Sequence, residues 1–282
     1  MPASIMSLDR VSDVLRVVIA EEVLPTFGRL APTDIEHKPT ASDPEDVVSR
    51  VDRAVEARLG PALRALLPNS QVVGEEAAHA DPRVLGSLDA EGPVWVIDPI
   101  DGTRNFVRGE PSFGVMIALV TDRRTRAAWI ALPARDELFV AEGGGGAWLN
   151  DQRLRVRTPI ETARPRGSIY TKYMPEPLKN AVIDRAHARY EPAPASGSAA
   201  IEYTDLLQGR KDFVVYHRLL PWDHLPGALL LEEAGGSARL ANGARYVPAH
   251  RTGPLVLAAQ PRLGERVRRW LSSPGNGSGD LA

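Results

Sequence analysis

The first quarter of the chain carries two stripes of apolar residues at helical spacing. They predict helices over residues 8–27 and 43–59. Asp43 followed by Pro44 predicts the start of the second helix, because aspartate is a favourable N-cap and proline is tolerated at the first helical position. The polar segment 33–42 between the two helices predicts a loop.

Short apolar runs bounded by turn residues predict strands in the rest of the first half. We expect these strands at residues 71–74, 93–97, 113–120, 127–132, 137–142 and 147–156. Four consecutive glycines, Gly143 to Gly146, separate the last two. No lysine followed by serine or threonine comes after them and no helix opens there, so the glycines predict a hairpin connection rather than a nucleotide-binding loop.

In the second half, the pattern predicts strands at residues 167–171, 212–216 and 255–259 and helices at residues 176–190, 198–208 and 262–271. A further, nearly all-apolar helix is expected to begin beside Asp223 and to end at Gly235, with Pro226 in its first turn. A proline- and arginine-bearing connector near residues 157–165 divides the chain into halves over residues 1–157 and 158–272. Residues 273–282 are rich in glycine and serine and are expected to be disordered.

Composition removes several functional classes. The chain has 282 residues, of which 43% are hydrophobic and 25% charged, and its formal net charge is −2. These values are ordinary for a globular protein, and no basic run indicates a nucleic-acid surface. No cysteine is present, which excludes thiolate nucleophiles and cysteine-ligated metal centres. Neither a membrane span nor a signal peptide is evident, so we expect a cytoplasmic protein that binds neither membranes nor nucleic acids.

Familiar catalytic signatures are missing as well. The sequence has neither the GxSxG elbow of many serine hydrolases nor the GxxxxGK[ST] loop of P-loop nucleotidases. Its histidines show no metal-binding spacing and are expected at the surface or in packing positions.

The strongest candidate for chemistry is the end of the strand over residues 93–97. Asp98 follows that strand directly, and Pro99 is expected to stop it. Asp101 lies three residues later, so a tight turn can aim both carboxylates at one point, where a hard cation would relieve their repulsion. The amides of Gly102 and Thr103, at the start of a helical turn that Thr103 can cap, would then receive a phosphate. The alternative is an ordinary Asp-rich surface turn.

Three other acids are candidates to join this pair. Glu75 directly follows the strand at residues 71–74 and is well placed, whereas its neighbour Glu76 is expected to be merely solvated. Asp52 lies beside the apolar stripe of its helix, and solvation is favoured over an inward orientation. Asp223, at the mouth of the apolar helix, is either only its N-cap or a metal ligand as well.

Several stretches together carry a family resemblance: Gly74-Glu75-Glu76, Asp98-Pro99-Ile100-Asp101-Gly102-Thr103 with Asn105-Phe106, and Trp222-Asp223 ahead of Glu233-Ala234-Gly235-Gly236. In this order and spacing they resemble the inositol monophosphatase family of magnesium-dependent, lithium-sensitive phosphatases. Weaker agreement covers nearly the whole chain. The resemblance implies a layered α/β/α/β/α sandwich, with an α+β half around an antiparallel sheet, an α/β half, and a homodimeric assembly.

The resemblance also implies roles for individual residues. Two or three Mg²⁺ ions would be held by Glu75, Asp98, Asp101, Asp223 and the carbonyl of Ile100. A metal-bound water would be the nucleophile, oriented by Glu75 and Thr103, with Asp52 supporting the threonine hydroxyl. Residues expected to contact the substrate are Asp101, Gly102, Thr103, Ser198, Ala199, Tyr216 and Asp223.

Two departures from the family pattern affect the expected function. The segment between Lys38 and the helix carrying Asp52 is a few residues longer than in the family. Family members that hydrolyse inositol phosphates have a glutamate seven residues before the Trp-Asp aspartate, whereas this chain has Tyr216, followed by His217 and Arg218. Tyrosine offers a flat face and one hydroxyl, and the arginine could meet a second anionic group.

The sequence therefore predicts a Mg²⁺-dependent phosphomonoesterase acting on a small polar phosphate. The substrates left open are inositol monophosphate, histidinol phosphate, a 3′-phosphorylated nucleotide such as a 3′(2′),5′-bisphosphate, and a sugar bisphosphate. A non-catalytic protein that senses a phosphate ligand on the same fold is the alternative from another class.

Overall fold

The computed structural model describes residues 7–38, 47–156 and 164–272. Within these ranges the helices are α1 (Leu8–Val18), α2 (Arg50–Leu66), α3 (Glu75–Ala80), α4 (Thr103–Val107), α5 (Glu176–Arg189), α6 (Ala199–Leu207), α7 (Pro221–Glu233) and α8 (Pro261–Ser272). Shorter helical turns lie at Ile19–Val23, Pro32–Asp34, Pro82–Asp89 and Pro133–Arg135. None of the helices in these ranges has the length and apolar character needed to cross a membrane.

The strands are β1 (Ile35–His37), β2 (Val47–Ser49), β3 (Gln71–Gly74), β4 (Val94–Asp101), β5 (Gly114–Thr121), β6 (Arg124–Leu132), β7 (Glu137–Glu142), β8 (Gly146–Leu149), β9 (Gln152–Leu154), β10 (Arg166–Ile169), β11 (Glu191–Pro192), β12 (Phe213–Arg218), β13 (Ser237–Leu240) and β14 (Thr252–Ala258). Strands β3 to β9 form a seven-stranded sheet in sequence order, antiparallel except for the parallel pair β3–β4. A mixed five-stranded sheet has the order β11-β10-β12-β14-β13, and β1 pairs with β2.

Alternation along β4 shows how the large sheet is buried on both faces. Trp95 and Ile97 face a cluster formed with α1 and α2, whereas Val94 and Val96 face a second cluster formed with α6, α7 and the small sheet. The opposite face of the small sheet packs on α5 and α8. The layers therefore follow the order α/β/α/β/α, which confirms the predicted fold.

The layer between the two sheets is a single hydrophobic cluster. It contains residues from β4, β5 and β6 of the large sheet together with residues from β12, β13 and β14 of the small one. The two halves of the chain thus share one core. The division at residues 157 and 158 stays a prediction.

The beginning of α2 differs from the sequence prediction. Val47 and Val48, which fit the apolar stripe of a helix, lie in β2, and the helix begins only at Arg50. Ser49 is its N-cap, and a reciprocal pair of hydrogen bonds with Asp52 forms a capping box. The helix also continues past residue 59 to Leu66. The proposed start at Asp43 and Pro44 lies outside the described residues.

Other boundaries differ as well. The expected loop over residues 33–42 contains β1 in its described part, and the expected strand over residues 147–156 is the pair β8 and β9. The helix α7 begins two residues before Asp223, so Pro226 lies inside it rather than in its first turn. The short strands β11 and β13 were not predicted. The glycine run does connect antiparallel strands, β7 and β8, as expected. The tail 273–282 lies outside the described residues.

A close approach between α6 and β5 sets the distance between the two halves. A Cβ atom added to Gly114 would lie 2.6 Å from the Cβ of Ala200 and 2.9 Å from the carbonyl oxygen of Ala131. Neither contact is possible without displacement of one element. Glycine at this position therefore allows the N-terminus of α6 to reach the end of β4.

Candidate active site

A cavity of about 540 Å³ opens where the end of β4 meets the first turns of α6 and α7. Almost all of the predicted site residues line it: Glu75, Asp98, Ile100, Asp101, Gly102, Thr103, Ser198, Ala199, Tyr216 and Asp223. Asp52 is the remaining predicted residue, and it lies behind Thr103. The cavity has an inner end, formed by these acids, and an outer end, formed by residues 170–173 and 216–218 together with α4.

An irregularity at the end of β4 turns the two aspartates toward the cavity. Asp98 is paired with Met116, and Asp101 is paired with Gly114, so β4 gains one residue relative to β5 between these positions. Pro99, which has no N–H to donate, lies in this stretch and does not stop the strand, contrary to the prediction. Gly102 follows with a φ of 83° and is itself the N-cap of α4. Thr103 is the first residue of that helix and does not cap it.

Asp98 is buried among the other acids. It is only 2% exposed, and its Oδ1 atom has no hydrogen-bond partner among the described residues. Burial raises the pKa of its carboxyl well above the usual value, and the neighbouring Glu75, Asp101 and Asp223 raise it further. The inner end of the cavity is thus a place where negative charge is concentrated and insufficiently neutralised.

Lys38 supplies part of the missing positive charge. Its Nζ atom lies 2.7 Å from Glu76 Oε1 and 3.2 Å from Glu75 Oε1. Burial alone would lower the pKa of Lys38, but the two glutamates more than offset this effect and raise it. Glu76 is therefore not merely solvated. The pKa of Glu75 is raised by burial and by Asp223, although Lys38 acts in the opposite direction.

Asp52 is buried, with 1% exposure, so the favoured prediction of a solvated side chain is wrong. Its Oδ2 accepts hydrogen bonds from the amide and hydroxyl of Ser49, at 2.9 and 2.6 Å, and its Oδ1 accepts from Thr103 Oγ1 at 3.0 Å. Burial raises the pKa of Asp52 to about 6, and the hydrogen bonds from Ser49 limit the rise. The Thr103 hydroxyl also lies 2.9 Å from the carbonyl oxygen of Ile100. Its single proton is shared between these acceptors, so the oxygen retains acceptor capacity toward the cavity.

Asp101 connects the two halves of the molecule. Its Oδ2 accepts hydrogen bonds from the hydroxyl of Ser198 and from the amide of Ala200, the latter at 2.7 Å, and its Oδ1 accepts from the amide of Ala199 at 3.0 Å. A carboxylate oxygen offers about two acceptor positions, so Oδ2 is saturated and Oδ1 has about one position left. Asp101 can therefore contribute a single oxygen ligand to a cation in this arrangement.

Asp223 lies in the first turn of α7, where Leu220 is the N-cap. The alternative that it serves only as an N-cap is therefore wrong. The positive end of the helix dipole stabilises a carboxylate at this position. Asp223 is also close enough to Glu75 and Asp98 to raise the pKa of both.

These observations test whether the site suits a metal. Its available donors are carboxylate and carbonyl oxygens, which bind hard divalent cations, and the unpartnered Oδ1 of Asp98 is a vacant acceptor. Among the described residues, no three acidic or histidine side chains form a ready-made chelating group. The carboxylate and carbonyl oxygens of the site therefore fit a hard divalent cation.

The outer end of the cavity is aromatic. Tyr216 stacks on Tyr170, with ring centroids 4.5 Å apart and an interplanar angle of 17°, and the ring of His224 lies 4.6 Å from it. The flat face of the Tyr216 ring is thus covered by other side chains of the protein. Its hydroxyl is buried and has no hydrogen-bond partner among the described residues.

The same end carries several cations. The guanidinium carbon of Arg218 lies 4.1 Å from the ring centroid of Tyr173, and Lys172 Nζ lies 5.3 Å from that centroid. His224 Nε2 lies 3.0 Å from the carbonyl oxygen of Arg218, and because a carbonyl only accepts, this nitrogen carries the proton. Burial lowers the pKa of His224 to about 3, so the ring is neutral. Arg104 of α4 and Arg108, the residue that follows this helix, also line the cavity.

Sequence reasoning missed most of this outer end. Tyr170, Lys172 and Tyr173 follow β10, and no local motif distinguishes them from ordinary loop residues. They meet residues 216–218 because β10 and β12 are adjacent parallel strands whose carboxyl ends share one edge. A prediction of strand order would have been needed to find them.

Comparisons with known proteins agree with this geometry. A model of the inositol monophosphatase family matches residues 10–271. An inositol-1-monophosphatase of Rhizobium meliloti is 36% identical over 210 residues, which are 71% of this chain and 74% of that protein. A fructose-1,6-bisphosphatase/inositol-1-monophosphatase of Thermotoga maritima is 31% identical over 194 residues, or 68% and 70% of the two chains. The solved structure of a Thermotoga maritima IMPase is 26% identical and aligns with a TM-score of 0.76 over 94% of this chain and 96% of that one.

The family match spans nearly all of the described residues, and it includes both sheets and every acid of the inner end. The chain therefore belongs to the inositol monophosphatase family and is a phosphoric monoester hydrolase of a family that uses divalent metal ions.

Proposed function

We propose that the chain is a Mg²⁺-dependent phosphomonoesterase that hydrolyses a small polar phosphate ester with water. The observation that carries the proposal is the buried Asp98, whose Oδ1 lacks a partner among the described residues and whose neighbours are further acids. A carboxylate in such surroundings is costly unless a cation joins it. The presence of Glu75 and Thr103, which would orient a water, together with the acids for a metal favours catalysis over the alternative of a non-catalytic phosphate sensor.

Magnesium suits the site better than other common cations. In proteins Mg²⁺ is usually held by one or two carboxylates together with waters and substrate phosphate oxygens, rather than by an all-protein cage. The absence of a preformed three-ligand group among the described residues agrees with that habit. The residues that would hold two or three such ions between them are Glu75, Asp98, Asp101 through Oδ1, Asp223 and the carbonyl of Ile100. When bound, Mg²⁺ neutralises phosphate charge and makes water more acidic.

Thr103 and Asp52 would orient the attacking water. The Thr103 hydroxyl donates its proton toward Asp52 and Ile100, so its oxygen can accept a hydrogen bond from a water in the cavity. Asp52, fixed by the capping box, prevents the hydroxyl from rotating away. Glu75 would accept from the same water, and the amides of Gly102 and Thr103 would hold the phosphate. Ser198 and Ala199 border the substrate.

The substrate class follows from the outer end. Tyr216, in place of the family's glutamate, provides no carboxylate for vicinal hydroxyls, so we expect inositol 1-phosphate to have no large advantage over other esters. Arg218 and Lys172 favour a second candidate, a substrate with another anionic group. The Thermotoga maritima relative, named for both fructose 1,6-bisphosphate and inositol 1-phosphate, supports this possibility. Histidinol phosphate and a 3′(2′),5′-bisphosphate nucleotide remain the other options.

Further properties are proposed from the family resemblance. They are inhibition by Li⁺ and assembly as a homodimer; the cytoplasmic location is proposed instead from the sequence pattern. Full activity in tens of millimolar Li⁺ would contradict the first, and sedimentation of a monomer at micromolar concentration would contradict the second.

The decisive experiment is a hydrolysis screen with the purified full chain. Phosphate release is measured with inositol 1-phosphate, histidinol phosphate, a 3′-phosphonucleotide and fructose 1,6-bisphosphate, each with Mg²⁺ and with a chelator. Mg²⁺-dependent release from at least one ester is expected. Failure with every ester, together with retained phosphate binding, would favour the non-catalytic alternative.

A further inference from the structure

A fully buried ion pair lies behind the outer wall of the cavity. Glu202 of α6 is 0% exposed and Lys211, just before β12, is 5% exposed. Lys211 Nζ lies 2.5 Å from Glu202 Oε2 and also donates to Ser168 Oγ and to the carbonyl oxygen of Pro194, both at 2.9 Å. All three ammonium protons therefore have acceptors.

The other oxygen of Glu202 holds two groups that border the cavity. Glu202 Oε1 accepts from the amide of Ser196 at 2.8 Å and from the hydroxyl of Tyr170 at 2.9 Å. The carbonyl oxygen of Ser196 accepts in turn from Asn105 Nδ2 at 2.9 Å. Residues 194–198, which form the turn before α6, are thus fixed at Pro194 by Lys211 and at Ser196 by Glu202 and Asn105.

This turn determines where the donors to Asp101 lie. Gly197 has a φ of 74°, and Ser198 is the N-cap of α6. The hydroxyl of Ser198 and the amides of Ala199 and Ala200 converge on the carboxylate of Asp101. A shift of the turn would therefore remove these donors from Asp101, while a shift of Tyr170 would remove the ring that stacks on Tyr216.

Stability alone does not account for such a pair. Replacing a buried ion pair by apolar residues of similar volume is often neutral or stabilising, whereas removing one partner leaves a buried charge. A fully satisfied polar network, by contrast, holds its members in one arrangement. The ion pair therefore contributes more to the arrangement of the groups around it than to the free energy of folding.

We propose that Glu202 and Lys211 are positioning residues of the phosphatase. They fix the 194–198 turn and Tyr170, and through them the carboxylate of Asp101 and the aromatic wall. This inference rests on the proposed function, since its kinetic consequence requires a phosphatase reaction.

Two double variants isolate the acceptor role of Glu202. Glu202→Gln with Lys211→Met removes both charges but retains an oxygen acceptor for Ser196 and Tyr170. Glu202→Leu with Lys211→Met removes the charges and the acceptor. Because both variants lose the same lysine, their difference reports the acceptor alone.

Kinetics and amide hydrogen exchange are measured for both variants and for the wild type. We expect the Leu/Met variant to lose about tenfold or more in kcat relative to the Gln/Met variant, measured well below the unfolding temperature of both, because misplaced catalytic groups are costly. We also expect faster exchange in residues 194–202 of the Leu/Met variant. Equal kcat and equal exchange in the two variants would overturn the proposal.

The test remains decisive if a variant does not fold or if no substrate is found. In the wild type, the amide of Ser196 should exchange as slowly as those in the middle of α6, and exchange as fast as in an exposed turn would overturn the proposal. If the wild type hydrolyses none of the esters, the proposed function fails, while the exchange comparison still decides whether the pair fixes the turn.

Discussion

The inner and outer ends of the cavity are built in opposite ways. The inner end collects acids, and five of its lining residues come from the continuous stretch 98–103. The outer end collects cations and aromatic rings from segments that are far apart in sequence, including α4 and residues 170–173 and 216–218. The inner end suits a metal and the phosphate group, and the outer end suits the part of the substrate that carries the phosphate.

This difference assigns separate kinetic consequences to the two ends. Changes at the inner end should lower kcat for every substrate, because the groups there act on the phosphate common to all esters. Changes at the outer end should alter KM for some substrates and not for others.

Removal of the metal should have the largest effect. Exhaustive chelation should abolish phosphate release, because repulsion among the inner acids then remains uncompensated and no cation neutralises the phosphate. Mg²⁺ should restore the activity, whereas excess Ca²⁺, which is larger and looser in geometry, should inhibit. Phosphate release by the chelated and reconstituted protein measures this. Activity that survives chelation would contradict the assignment of metal binding to the inner end.

Asp98→Asn should lower kcat at least ~10²-fold with every substrate, as does the loss of a major electrostatic stabiliser. The same change should raise the unfolding temperature of the metal-free protein, since it removes one of several mutually repelling charges. Steady-state kinetics and thermal unfolding measure the two effects. Glu265→Gln is a suitable control, because this side chain is 55% exposed on α8, away from the cavity. A normal kcat in Asp98→Asn would contradict the proposed metal site.

Thr103→Ala should lower kcat about tenfold or more and change KM little, since the hydroxyl is proposed to orient the water in the transition state. Thr103→Ser retains the hydroxyl and should recover most of the loss. Both variants are compared at saturating and limiting substrate. An effect of Thr103→Ala on KM alone would indicate phosphate binding rather than orientation of water.

Arg218→Gln should raise KM for fructose 1,6-bisphosphate about tenfold, the usual magnitude for loss of a hydrogen bond to a charged group. KM for inositol 1-phosphate and kcat for both should change much less. Arg166→Gln, at an arginine outside the cavity, provides the matched control. Equal changes for the two substrates would mean that Arg218 does not contact a second anionic group.

Tyr216→Phe should have the smallest effect. The hydroxyl has no hydrogen-bond partner among the described residues, so its removal leaves no donor or acceptor unsatisfied. The ring keeps its contacts with Tyr170 and His224. We therefore expect unchanged stability and kcat/KM within about threefold for each ester. A larger loss for one ester alone would show that the hydroxyl does reach that substrate.

The inner end could be predicted from sequence because its information is local. An apolar run ending in Asp98 and followed by Asp101 and Gly102 indicates strand, turn and paired carboxylates within a few positions. The burial of Asp52 was not predictable in this way, because Thr103, which donates to it, lies 51 residues away. The start of α2 was missed for a different reason. Ser49 and Asp52 do form a recognisable capping box, but the apolar Val47 and Val48 continue the helical stripe and obscured it.

The outer end could not be predicted from sequence because its contacts depend on strand order. Glu202 and Lys211 are nine residues apart, yet nothing in their spacing indicates that they pair beneath a cavity. The sequence predicted that the flat face of the Tyr216 ring is open to the substrate. Tyr170 covers that face instead, and it does so from the adjacent strand, which the sequence does not reveal. Where partners are assembled by tertiary contacts, residue type alone predicts what a side chain can do but not whether its surface is free.

Gly114 shows how far the chemistry depends on a residue that does not border the cavity. Adding one methyl group there would push against Ala200 and carry the first turn of α6 away from Asp101. The substitution introduces no charge and removes no ligand, so a survey confined to the cavity lining would score it as harmless. In a natural variant of this enzyme, a loss of activity with every recognised catalytic residue intact would therefore direct attention to the middle of the protein, at the junction of its two sheets.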